Sequence, residues 1–107
     1  MAMQESFTSP KKDNLFSATQ IFPVVPGTLK VTVAVRRGAL VTSAGALATA
    51  ASGAHAVVAA DTEAGKVAPV YLTGEFNATA LAEATGIDVA AGTIIQNRIF
   101  VRENLEA

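Results

Sequence analysis

Residues 70–77 read V-Y-L-T-G-E-F-N. The run opens on β-branched and aromatic residues, the types that fit a pleated, half-buried surface. Gly74 interrupts it, Phe76 follows, and Asn77 is a residue type that starts helices. Upstream, the chain reads as strands and turns. Downstream, it reads as short helices and a closing strand. The stretch is the pivot between the two.

Working back from the pivot, residues 66–73 form one strand. Val67, Pro69, Tyr71 and Thr73 fall on one face, and Ala68, Val70 and Leu72 on the other. Pro69 lacks a ladder donor, which points to an edge position. Residues 61–65, D-T-E-A-G, are a surface loop, and residues 55–60 are a small-residue strand around Val57 and Val58. Residues 39–42 and 46–50 read as short strands, separated by turns at Ser43-Ala44-Gly45 and Ser52-Gly53. Residues 29–36 alternate: Leu29, Val31, Val33 and Val35 share one face. Period two over this length predicts a half-buried strand, with those four residues in the core. Pro23 and Pro26 restrict residues 21–26 to an edge strand or an extended lead-in.

Working forward, Asn77 is placed to cap a helix over residues 78–85 with its side-chain oxygen. Gly86 is placed to stop that helix. Asp88 is placed to start a second helix reaching about residue 97, with a hairpin through residues 93–101 as the competing reading. Ile99, Phe100 and Val101 form a closing strand, and residues 103–107 a polar tail. At the other end, residues 1–19 are polar, with Phe7, Leu15 and Phe16 as their large apolar groups. That composition does not support a packed element by itself. They read as an extended or flexible N-terminal arm ahead of one domain, residues 20–107. Two spaced phenylalanines suit an arm that docks on something, because aromatic rings bury much area. Removing residues 1–19 is expected to leave that domain folded. The predicted fold is α+β, mainly β: a small compact β-barrel or sheet domain with one or two short helices, after Asn77 and Asp88.

Composition narrows the function classes. The chain has 107 residues, enough for one domain. Half are hydrophobic, but alanine supplies much of that, and there are only five Phe, one Tyr and no Trp. A thin core in so small a chain is marginal alone, and association with copies or a partner is one remedy. The net charge is −1, from eight basic and nine acidic residues spread along the chain. That balance argues against nucleic acid, which needs a basic stripe. There are no cysteines, which excludes disulfides and thiolate metal sites. The first ten residues lack the apolar run of a signal peptide. The alanine-rich residues 44–60 are broken by Gly45, Thr49, Ser52, Gly53 and His55, too often for a membrane span.

No constellation of residues carries catalysis. His55 is the one histidine, and zinc usually takes three or four ligands. Ser43 and Ser52 lie in turn sequence, without a nucleophile elbow. Asp61 and Glu63 share a loop that does not continue into a calcium motif. The glycines are dispersed, so no phosphate loop forms. Neither cofactor nor small-molecule substrate is expected. The pairs Lys11-Lys12 and Arg36-Arg37 are too small for a nucleic-acid groove. Glu75, wedged between Gly74 and Phe76, is placed to cap or pair locally, or to meet an arginine at a subunit contact.

The run P-V-Y-L-T-G-E-F-N-A-T-A-L, residues 69–81, resembles the lambda head protein D-like family of bacteriophage head decoration proteins. Upstream, V-R-R-G-A-L-V at residues 35–41 and A-V-V-A-A-D-T-E-A-G at residues 56–65 are similar to segments of that family. Downstream, Q-N-R-I-F-V-R-E-N-L at residues 96–105 is similar to its closing strand. The resemblance spans residues 28–105. It departs at Val58 and Arg98, where members often carry glycine, and the arm aligns with nothing. The resemblance implies a non-enzymatic capsid cement. It would be a homotrimer on the outer surface of an expanded icosahedral head, part of the virion, with the major capsid protein as partner. Gly74, Glu75, Phe76 and Asn77 would be fold signature. Phe7, Phe16, Ile21, Phe22 and Val24 would be the capsid-binding residues, acting by strand addition. The residues themselves leave open another β-rich oligomeric module, a different virion component or an adhesive or carbohydrate-binding one.

Overall fold

The computed structural model describes residues 14–17 and 23–102. In chain order these form β1 (Val25–Lys30), β2 (Leu40–Val41), a 3-10 turn at Ala51–Gly53, β3 (Ala56–Val58), β4 (Val67–Asn77), α1 (Ala78–Thr85), β5 (Ile94–Ile95) and β6 (Ile99–Arg102). One curled sheet contains all six strands, in the order β2-β3-β4-β6-β5 with β1 paired to β4. The fold is mainly β, with the single helix packed against the sheet.

β4 is the hub, and it changes partners along its length. Its first half is antiparallel, with β1 paired from Val67 to Thr73 through a register shift between Val25 and Pro26, and β3 opposite Val70 and Tyr71. Its second half runs parallel to β6, with Gly74 opposite Ile99 and Phe76 opposite Val101. The change happens at Gly74. Tyr71 and Phe76 are five positions apart, so strict alternation would put them on opposite faces. Both nonetheless pack in one core, with ring centroids 6.0 Å apart. Gly74 has φ +150°, and a Cβ there would lie 2.8 Å from the Phe76 ring. A glycine is what lets the strand turn over and the ring close on its own backbone.

Two cores result, one on each face of β2, β3 and β4. The first gathers Leu15, Leu40, Val57, Phe76, Leu81, Ile95, Ile99 and Val101. The second gathers Val31, Val35, Ala39, Val41, Ala56, Val58, Ala68 and Val70. The alternation Ala56, Val57, Val58 divides β3 between them, as period two requires. α1 contributes Leu81 to the first core, and Thr85 Oγ1 accepts a hydrogen bond from Leu40 N–H of β2 at 2.8 Å. Gly86 ends the helix in the left-handed region, at φ 84°, as its position predicts.

Several expectations are corrected. Pro69 sits in the central strand, not at an edge. Its carbonyl accepts from Ala59 N–H at 2.8 Å, and the bond it cannot return is replaced: Arg37 Nη1 donates to Ala59 O at 2.7 Å. The alternation through residues 29–36 does not make one strand. β1 ends at Lys30, and Val31 then bonds Lys66 O, Thr32 bonds Gly45 O, and Val35 exchanges both bonds with Thr62. Val31 and Val35 are buried, Leu29 is half-buried, and Val33 is 39% exposed. Gly45 allows this crossing, because a Cβ there would come 2.1 Å from Lys30 O. No second helix follows Asp88. The competing hairpin forms instead, with Gln96 and Asn97 both at positive φ, the geometry of a tight hairpin turn. The chain is already committed to it at Gly92, whose N–H bonds Val101 O at 2.8 Å.

Candidate binding site

The N-terminal residues 14–17 lie along the end of β4, on the stretch singled out as fold signature. Phe16 stands antiparallel to Phe76. Ser17 N–H donates to Glu75 O at 3.0 Å, and Asn77 N–H donates to Leu15 O at 2.9 Å. The Asn77 side chain does not cap α1. Its amide instead donates to Asn14 O at 2.7 Å and Phe16 O at 3.2 Å. Asn77 is fully buried, so these bonds offset the cost of taking its amide out of water.

The side chains reinforce the backbone. Leu15 is 2% exposed and belongs to the first core. The Phe16 ring stacks on Phe76 at 5.3 Å and meets Tyr71 edge-on at 4.9 Å. The Arg37 guanidinium lies 5.8 Å from the centroids of both Phe16 and Tyr71, and Nη1 also donates to Tyr71 Oη at 3.0 Å. Residues 14–17 are therefore packed into the domain, although they were expected within an extended or flexible arm over residues 1–19. Leu15 and Phe16 are the reason: they are large apolar groups beside a socket that needs them. Sequence reasoning saw these apolar side chains but not the socket, because its walls come from residues 37, 71 and 76.

Behind this segment, Glu75 is 1% exposed and takes both Nη2 of Arg102, at 2.6 Å, and Nε, at 2.9 Å, on one oxygen. Of the roles the sequence left open for Glu75, a local pair or an arginine at a subunit contact, the structure shows a pair within the chain. Arg102 is 39% exposed and lies 5.7 Å from the Phe100 ring centroid. The pair ties β6 to β4 across the parallel register.

Of the other residues assigned to capsid binding, Val24 is 37% exposed at the entry to β1, next to Val25 at 42%. Phe7, Ile21 and Phe22 lie outside the described residues. Beside Val25, a shallow cleft of ≈ 200 Å³ is lined by Pro23, Val25, Thr73, Asn97, Arg98 and Phe100. Arg98 donates Nη1 to Leu72 O, and its Nη2 lies 3.3 Å from His55 Nδ1. A more open hollow, ≈ 470 Å³, lies at the C-terminal end of α1 between Glu83, Gly86 and Asp88. Among the described residues, no group of His, Asp or Glu is placed to hold a metal ion. No described helix is long and apolar enough to cross a membrane. No family model matches the chain, and no curated protein matches it.

Proposed function

We propose that the protein is a structural capsid decoration protein, a homotrimer that binds the major capsid protein on the outside of an expanded phage head and stabilises it, without catalysis or cofactor. One observation supports this reading above others. The four stretches that resemble the decoration family, far apart in sequence, supply β2, β3, β4 and β6. Those strands are consecutive neighbours in the sheet. A chance likeness scattered over the chain has no reason to fall on one contiguous surface.

In this reading the reach towards the capsid belongs to residues 1–13, with Phe7, and to residues 21–24, with Ile21, Phe22 and Val24. Phe16 is engaged on β4 and acts as the anchor of the arm. Three arms on one trimer bind far more tightly than one, by effective concentration. Co-sedimentation with purified shells is the test. The protein is expected to pellet with expanded shells and not with immature ones, and to lose binding without losing its fold when residues 1–13 are deleted. Pelleting with neither shell, or binding to a glycan array instead, would overturn the proposal.

A further inference from the structure

We propose that His55 and Arg98 form a proton-operated latch: it holds the turn of the β5–β6 hairpin against the sheet and lets go when the imidazole is protonated. His55 is the one histidine of the chain, half-buried just ahead of β3. Its backbone is fixed, with N–H donating to Val41 O at 2.7 Å. Arg98 stands on the hairpin turn, directly before β6. Its Nη2 lies 3.3 Å from His55 Nδ1, and its Nη1 donates to Leu72 O of β4. One planar guanidinium therefore ties the turn to two other parts of the sheet. The device is independent of the capsid role proposed above.

The chemistry of the pair sets its direction. A guanidinium carries donors only, so Nδ1 is the acceptor, and the single ring proton of neutral His55 sits on Nε2. A proton arriving from solvent at Nδ1 takes the lone pair that Arg98 uses. Two donors and two positive charges then face each other where one hydrogen bond stood. Among the described residues, nothing offsets this. β2, β3, β5 and the 3-10 turn contain no charged residue, and Lys30 of β1 and Arg102 of β6 are themselves cations. Glu75 of β4 is engaged by Arg102, and neither it nor Glu83 of α1 makes an ion pair with the ring. Once Arg98 lets go, the turn keeps a bond from Gln96 Nε2 to Ala54 O at 3.4 Å and one from Gly74 N–H to Arg98 O at 3.2 Å. Ile95 and Ile99 stay rooted in the first core, so the opening is local. Asn97 and Arg98 also line the cleft beside Val25, and the same step loosens that wall.

The test titrates the full chain from roughly pH 8 to pH 5, the interval in which histidine changes charge. Ring ¹⁵N shifts of His55 report the tautomer. Hydrogen-exchange protection, corrected for the intrinsic effect of pH, reports the bonds made by Gly74 N–H and by Arg98 N–H, which donates to Ile95 O at 3.1 Å. At the upper end Nδ1 is expected to carry no proton. On descent, protection at both amides should fall about two- to tenfold, the range that one lost hydrogen bond gives. His55→Asn keeps an acceptor oxygen for Arg98 without a group that titrates, and its protection should not change with pH. A ring proton on Nδ1 at the upper end overturns the latch. So does protection that is constant in the parent, or that falls equally in His55→Asn. The tautomer is read on the parent chain, so a variant that fails to fold leaves a decisive measurement in place.

Discussion

The two cores share three strands, yet they are built from different material and from different parts of the chain. The first holds all the buried phenylalanine, leucine and isoleucine, with smaller valines and alanines between them, and it draws on the chain from Leu15 to Val101. The fully buried residues of the second are valine and alanine, all from residues 31–70, with Leu29, Leu47, Leu72 and Ala84 packed against them. Large side chains hold the first core together by the area they bury. The second has little volume to bury, and it depends on backbones approaching closely, as Gly45 does to Lys30. The contrast predicts that the first core fails by losing volume and the second by gaining it.

Phe76→Ala should be the most damaging truncation, at about 3–5 kcal/mol for a buried Phe. A urea melt followed by circular dichroism measures it. A loss no larger than that from truncating a valine would remove the distinction between the cores. Next comes a matched pair, Leu15→Ala in the first core and Val31→Ala in the second. The first should cost about 2–5 kcal/mol and the second about 2 kcal/mol, from two buried methylene equivalents. Equal shifts in the melts would mean that residues 14–17 are peripheral.

The sequence made one side of this comparison easier to see than the other. Gly74 and Gly86 were legible, because each breaks a pattern where the backbone needs φ above zero. The two faces of β4 were legible, but not which of them carries Ala68 and Val70 into the second core. Leu15 was not, because nothing local marks a lone leucine in a polar stretch as a core residue. The 29–36 alternation misled for the same reason in reverse. Its period persists past Lys30, but the hydrogen-bond partners change there, and Val33 turns outward. Asn77 looked like a helix cap because its local context is that of one. Its amide is claimed instead by Asn14 and Phe16, more than sixty positions away. Of the candidate site, residues 75–77 were identified as important, but their role as a docking edge required the fold.

The ion pair sharpens the comparison, since it braces the first core and has no counterpart in the second among the described residues. Arg102→Gln removes both bonds to the buried Glu75. Breaking a fully buried pair costs about 3–5 kcal/mol, and with Arg102 39% exposed the expected loss is smaller, roughly 2 kcal/mol. Thermal melts of the variant and parent measure it, and an unchanged midpoint would show that the pair is incidental. The smallest effect belongs to Val33→Thr, on the surface beside the second core. A change within about 0.5 kcal/mol is expected. A larger loss by urea melt would place Val33 in a contact between copies.

The position of Glu75, Phe76 and Asn77 also sets a timetable. They are flanked on one edge by residues 14–17 and on the other by Ile99–Arg102. The fully buried residues of the second core have all left the ribosome once residue 70 has, whereas the first must wait for Ile99 and Val101 of the last strand. Until then Phe76 lacks Ile99 and Val101 on one side, and contacts this distant in sequence form slowly. During synthesis, the nascent chain carries an aromatic socket that its own early-emerging Leu15 and Phe16 can cover before the last strand arrives.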